Sequence, residues 1–156
     1  MSIYNFEKEN PMDLDEHYMQ LALAEAKIAF NKKEIPIGAI VVCQNKIIGR
    51  GHNLTEQFKD VTAHAEMQAF TAAAQTLGGK FLADCTLYVT VEPCVMCAGA
   101  SYSMQISRIV FGASEPKRGF LSKSSSILHP KTELKGGVLA DEAANLMRSF
   151  FKDKRA

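Results

Sequence analysis

The chain has 156 residues, 47% of them hydrophobic, and a formal net charge of +1. A chain of this size and apolar share can bury roughly two thirds of its unfolded surface in one core without disulfide staples, and its near-neutral overall charge by itself points to no class of partner. No stretch approaches the roughly 20 apolar residues of a membrane span, residues 1–10 have neither the basic start nor the apolar h-region of a secretion signal, and four cysteines suit a reducing compartment, so a cytoplasmic protein with no membrane partner is expected.

In chain order, residues 1–12 read as a flexible arm and residues 13–156 as one domain. Asp13-x-x-Glu16 has the form of a capping box and opens a helix to about Lys32, with Leu14, Tyr18, Leu21, Ala22, Ala26 and Ala29 as its apolar stripe. After Pro36, residues 38–43 and 46–50 form two strands joined by Gln44-Asn45, a hairpin-length turn. Residues 52–63 read as loop, and a second helix carrying Glu66, Met67, Phe70 and Ala74 stops at Gly78-Gly79. A buried strand over residues 87–91 leads into a helix bearing Cys94 and Cys97. A fourth strand follows over residues 106–111, then mostly loop with a short helix over 112–135, a short fifth strand over 137–139 and a closing helix over 141–152. Helices alternating with strands imply a layered α/β domain whose last strands run parallel, with the ligand crevice at the edge of the sheet where the helices start.

His64-Ala65-Glu66 is followed, after 26 intervening residues, by Pro93-Cys94-Val95-Met96-Cys97. One imidazole and two thiolates suit Zn²⁺, and three protein ligands leave a fourth tetrahedral position for water, as a catalytic zinc requires. Pro93 suits a first helical turn, from which Cys94 and Cys97, three apart, project to one side; the unpaired amides of that turn favour thiolate over thiol. His64 and Glu66, two apart, would diverge inside a helix, so both serve one site only if His64 sits at the helix edge, with Thr62 as the expected N-cap. Glu66 is then free to act as proton shuttle for a zinc-activated water in a hydrolytic deamination of an aromatic amine. A lone C-x-x-C would equally suit a structural zinc knuckle or a redox pair; the H-x-E at this separation is what points to catalysis. Cys43 and Cys85 read as small buried hydrophobes, His17, His52 and His129 as ordinary surface or hydrogen-bonded histidines, and Met19, Met67, Met96, Met104 and Met147 as core filler.

Charge is unevenly spread: residues 1–78 carry 7 basic and 10 acidic side chains, whereas residues 79–156 carry 11 and 7. Lys117, Arg118, Lys123, Lys131, Lys135, Lys152, Lys154 and Arg155 could meet a phosphate backbone; the alternative is a solvated helix end, where cations are favoured anyway.

The segments Ile35-Pro36-Ile37-Gly38-Ala39-Ile40, Gly51-His52-Asn53, Thr62-Ala63-His64-Ala65-Glu66, Leu87-Tyr88-Val89-Thr90-Val91-Glu92-Pro93-Cys94-Val95-Met96-Cys97-Ala98-Gly99-Ala100 and Val110-Phe111-Gly112-Ala113 resemble the bacterial tRNA-specific adenosine deaminases, within the cytidine/deoxycytidylate deaminase superfamily. The resemblance covers residues 13–152, and Val138 to Glu142 with Phe150-Phe151 add to it. It implies a three-layer α/β/α cytidine-deaminase-like fold, with a central five-stranded mixed sheet and helices on both faces. It further implies a homodimer, one zinc ion per chain, no nucleotide cofactor, and conversion of the wobble adenosine to inosine in a tRNA anticodon stem-loop. By position it makes His64, Cys94 and Cys97 the zinc ligands and Glu66 the catalytic acid/base. It places Asn53 and the amide of Ala65 against the flipped base, and Lys117 and Phe151 against the RNA. Asn53 also has a plain reading as a turn-former after Gly51-His52.

Two departures stand out. Residues 131–135 form a shorter link than the family's RNA-holding loop, and Glu115 stands where an aspartate is common. Two rival readings remain: a deaminase of a free base or nucleoside, guanine, cytosine or cytidine, using the same zinc site, and a non-catalytic zinc-stabilised RNA-binding module.

Overall fold

The computed structural model describes residues 13–155. The arm expected over residues 1–12 and the side chain of Asp13 in the expected capping box lie outside the described residues.

The apolar runs after Pro36 and around Tyr88 are continuous instead of alternating because both faces of the sheet are covered. Five strands, β1 (Gly38–Cys43), β2 (Lys46–His52), β3 (Cys85–Val91), β4 (Arg108–Ala113) and β5 (Glu133–Lys135), lie in the order β2-β1-β3-β4-β5. β1 pairs antiparallel with β2 and β3, while β3 with β4 and β4 with β5 are parallel. The period of two divides each strand between two cores. Ala39, Val41, Leu87, Val89, Ile109 and Phe111 pack against Ala69, Phe70 and Ala73 of α3 (Ala65–Leu77) and Ala98 of α4 (Val95–Met104). Ile40, Val42, Tyr88 and Val110 pack against Tyr18, Met19 and Ala22 of α1 (Asp13–Asn31) on the other face. The closing helix α5 (Ala140–Arg155) joins α1 there, through Ala143 against Leu23 and Ala113. The result is the expected three-layer α/β/α arrangement around a five-stranded mixed sheet.

Local sequence explains most element ends. Gln44 and Asn45 both take left-handed backbone, φ 52° and 61°, as a two-residue hairpin turn with the twist of its strands demands. α3 stops at Gly78, φ 70°. Gly49 and Gly51, on one face of β2, let α3 lie directly on the strand: a Cβ on Gly51 would overlap the Ala65 carbonyl and stand 2.6 Å from Gln68 Cβ. No side chain larger than hydrogen fits there, so this contact fixes how closely α3 approaches the sheet.

The structure corrects several expectations. The fifth strand is residues 133–135, not 137–139; Gly137 and Leu139 have φ of 88° and 52° and turn the chain into α5. The segment read as loop continues β2 to His52 and contains the one-turn helix α2 (Thr55–Phe58). Leu14 is 57% exposed, and the buried stripe of α1 includes Met19 and Leu23 instead. Cys85 is fully buried, but Cys43, paired with it across β1 and β3, is only partly so.

Candidate active site

Two helix N-termini meet beyond the C-terminal end of β3. His64 is itself the N-cap of α3 (φ −72°, ψ 156°) and Cys94 the N-cap of α4 (φ −75°, ψ 173°). Thr62 is therefore not the cap, and Pro93 precedes the cap instead of occupying the first turn. In both helices the cap carbonyl accepts the first intrahelical bond, from Gln68 N at 3.1 Å and from Ala98 N at 2.9 Å. Neither cap side chain turns back to its own helix. Each points across the gap: His64 Nδ1 stands 3.5 Å from Cys94 Sγ and 3.5 Å from Cys97 Sγ. The extended backbone at position 64 is what lets residues two apart face one site, since the N-cap lies off the helical spiral that carries Glu66.

The three donor atoms lie within 4.8 Å of one another, close enough to hold one metal ion. Their electrostatics fit that use. The Cys94 thiol is pulled down to about 4, first by the hydrogen bond from Cys97 and also by His64, while the same bond and burial push the Cys97 thiol far up. His64 is raised, chiefly by its bond to Cys94. A cation would stand in for the shared proton, because thiolates and a neutral imidazole are what a soft divalent metal binds. Glu66, 4% exposed, is hydrogen-bonded to Cys97 and pushed up to about 7, chiefly by burial.

The cluster forms the floor of an open cleft of about 850 Å³. Asn53, His64, Ala65, Glu66, Cys94, Lys117 and Phe151 all line it, so the expected site residues are brought together, with Cys97 buried just behind. Apolar walls come from Ile35, Ile37, Val61 and Val91. Met147 lines it too, one turn before Phe151 on α5, and is thus a cleft residue and not core filler.

Of the basic residues singled out for phosphate, Lys117 and Arg118 line the cleft, and Lys59, from the acidic half of the chain, joins them. Lys135 instead pairs with Asp15 at 2.9 Å, and Lys154 lies over the Phe150 ring. Of the histidines set aside, His52 bonds Glu25 at 3.0 Å and Lys32 at 3.1 Å, and His129 packs on Tyr102.

Two buried carboxylates that the sequence did not flag shape the cleft. Glu92 accepts the Glu115 amide at 3.1 Å through Oε1 and the Leu121 amide at 3.1 Å through Oε2, and Glu115 in turn accepts the Lys117 amide at 2.9 Å. This chain of bonds folds the loop that presents Lys117 and Arg118. Glu34 does the equivalent for α2, accepting the Glu56 and Gln57 amides. Acidic residues are exposed by default, and nothing in the local pattern marks these two as buried.

A fold and a site of this kind define a hydrolytic deaminase, and comparison with known proteins narrows the class. The profile of the MafB19-like deaminase family matches residues 13–155. The tRNA-specific adenosine deaminase of Agrobacterium fabrum is 40% identical over 144 residues, covering 89% of this chain and 95% of that one. Among solved structures, one of a tRNA:A34 deaminase studied for A-to-I editing at the wobble position of transfer RNA superposes with a TM-score of 0.77 at 39% identity, covering 83% of this chain and 98% of that one. The guanine deaminase of Bacillus subtilis superposes with a TM-score of 0.61 at 37% identity over 64% of each chain. The chain belongs to the tRNA-specific adenosine deaminase family.

Proposed function

We propose that this protein hydrolyses adenosine to inosine at the wobble position of a tRNA anticodon. The observation that carries this reading is a cluster of His64, Cys94 and Cys97 with Glu66 beside it on the floor of an open cleft. One imidazole and two thiol sulphurs are a donor set suited to zinc, one ion per chain, which when bound would supply Lewis-acid activation of water.

The remaining work falls to the chain's own groups. Glu66 accepts a proton from the attacking water and delivers protons to the ring nitrogen and the departing amine, so that water oxygen replaces the exocyclic nitrogen and ammonia leaves. Burial suits it to this, because a carboxyl kept from water holds and releases a proton near neutrality. Asn53 hydrogen-bonds the base, and the backbone at Ala65 lines the reacting edge. Lys117 and Arg118 at the mouth meet phosphates, and Phe151 offers an apolar ring to an unstacked nucleotide. A cleft open to the surface suits a base splayed from an anticodon loop, where extrusion costs less than in a duplex. The proposal includes a homodimer, a cytoplasmic location and no nucleotide cofactor.

The test is inosine formation by zinc-loaded protein from an anticodon stem-loop with a wobble adenosine, run beside free guanine, cytosine, cytidine and adenosine. Product from the RNA alone is expected. The likeness to a guanine deaminase favours guanine as the second reading, and xanthine in place of inosine would establish it.

A further inference from the structure

Glu34 is 1% exposed, lies in the turn between α1 and β1, and neither lines the cleft nor touches the metal-binding cluster. Burying a carboxylate is costly unless its lone pairs are satisfied, and here three N–H groups satisfy them. Oε2 accepts the Gln57 amide at 2.7 Å, and Oε1 accepts the Glu56 amide at 3.0 Å. The third donor is a side chain: Asn53 Nδ2, at 3.4 Å from Oε1.

Asn53 is the cleft residue assigned above to the base, and it is only 5% exposed. Its backbone is held by the bond from its amide to the Ile37 carbonyl at 3.1 Å. That bond leaves the side-chain amide free to rotate end for end, an exchange that costs almost nothing sterically because oxygen and NH₂ are nearly the same size. Only the chemistry of a partner can choose the end. A carboxylate has acceptors and no donor, so it takes the NH₂ end and rejects the oxygen. One amide proton is thereby committed to Glu34. The second is donated to Thr55 Oγ1, 3.2 Å from Nδ2, so the Oδ1 lone pairs are what Asn53 can offer a base without breaking a bond.

We infer that Glu34 is a positioning residue for deamination: from outside the cleft it holds the Asn53 amide in one flip and rotamer and pins the α2 wall, so the base-reading edge is set before substrate arrives. The inference rests on the proposed reading of Asn53. It explains why an acid is buried in the otherwise apolar run Glu34-Ile35-Pro36-Ile37: an apolar residue would leave two backbone amides and one Asn53 N–H without an acceptor.

The test uses the full, zinc-loaded chain with Glu34→Gln, Asn53→Ala and the double variant, assayed for inosine from the anticodon stem-loop. The Glu34→Gln side chain keeps the shape but offers one acceptor oxygen where two were used. This change is expected to lower kcat/KM about tenfold, the loss expected from removing a charged hydrogen bond, at unchanged zinc content. In the Asn53→Ala background the same change is expected to cost about threefold or less, because the two residues act as one unit. Losses that multiply, with the tenfold effect intact when Asn53 is gone, overturn the inference. An arm independent of turnover uses NMR of the Asn53 NH₂ pair, assigned by its disappearance in Asn53→Ala. Two resolved, slowly exchanging protons in the wild type support the inference, and exchange at the rate of a free amide overturns it even if the variant fails to fold. A wild type that makes no inosine sinks the substrate assignment and leaves the NMR arm to decide on Glu34.

Discussion

Two ionisable clusters around the parallel strands β3 and β4 are built on opposite rules. On the face of these strands that α1 covers, Asp15 of α1 accepts two parallel bonds from Arg108 at 2.7 and 2.8 Å, one from Lys135 at 2.9 Å and one from the Tyr88 hydroxyl at 2.8 Å. Beyond their C-terminal ends, Glu66 faces a thiol and an imidazole instead of a guanidinium. The Arg108 guanidinium holds the Asp15 carboxyl well below the usual carboxylate range, whereas burial pushes Glu66 up to about 7. A carboxylate matched by cations is fixed in charge and serves as a clasp, here tying α1 to β3, β4 and β5. A carboxyl whose charge is set chiefly by burial, and not by a salt bridge, can exchange a proton. Which of the two acids can do chemistry is decided by its partners, not by its type.

The sharpest way to break this contrast is Glu66→Gln. Turnover is expected to fall by at least about a hundredfold, as loss of general acid/base catalysis should cause, while metal content measured by atomic absorption stays the same and the melting temperature is equal or higher. Retained turnover would mean that another group moves the proton, and a non-catalytic RNA-binding module would show no wild-type turnover to lose.

Asp15→Asn should do the reverse, destabilising the fold by about 2 kcal/mol in urea at pH 7, as expected for loss of charged hydrogen bonds, with metal content unchanged. Because the folded-state pKa of Asp15 is depressed, its contribution is fully present above the unfolded value of about 3.9 and is lost as pH falls below that. The wild-type and variant stabilities should therefore converge on acidification; a constant gap would show that the pair is not electrostatic. Tyr88→Phe removes one neutral donor to the same carboxylate, and about 1 kcal/mol is expected by the same measurement. Turnover that fell together with stability in either variant would join the two clusters, and the contrast between them would fail.

Much of this was legible in the sequence because it is written in short-range patterns. The grouping of His64, Cys94 and Cys97 into a cluster able to hold a metal could be read because metal chemistry needs those residue types. The first four strands and the four longer helices, α1, α3, α4 and α5, could be read because apolar runs and their period survive in one dimension. The hairpin at Gln44-Asn45 and the stop at Gly78 follow from local backbone preference. Two expectations failed for the same reason. β5 is three exposed residues, Glu133, Leu134 and Lys135, with no buried face to leave a pattern; it is a strand because β4 pairs with it and because Asp15 holds Lys135. The caps at His64 and Cys94 were missed because both side chains turn from their own helices toward a cluster assembled from sites 30 residues apart.

The sequence by itself thus determined the reaction's equipment: which side chains could hold a metal, which acid stood beside them, and the layered α/β class that would carry them. Only the tertiary structure decided which acids are buried, that Met147 faces the cleft, that Lys117 and Arg118 reach its mouth while Lys135 does not, and that Glu34 grips Asn53. Ligand identity and periodicity are properties of residues and their near neighbours. Burial, pairing and hydrogen-bond polarity depend on groups that only the closed fold brings together.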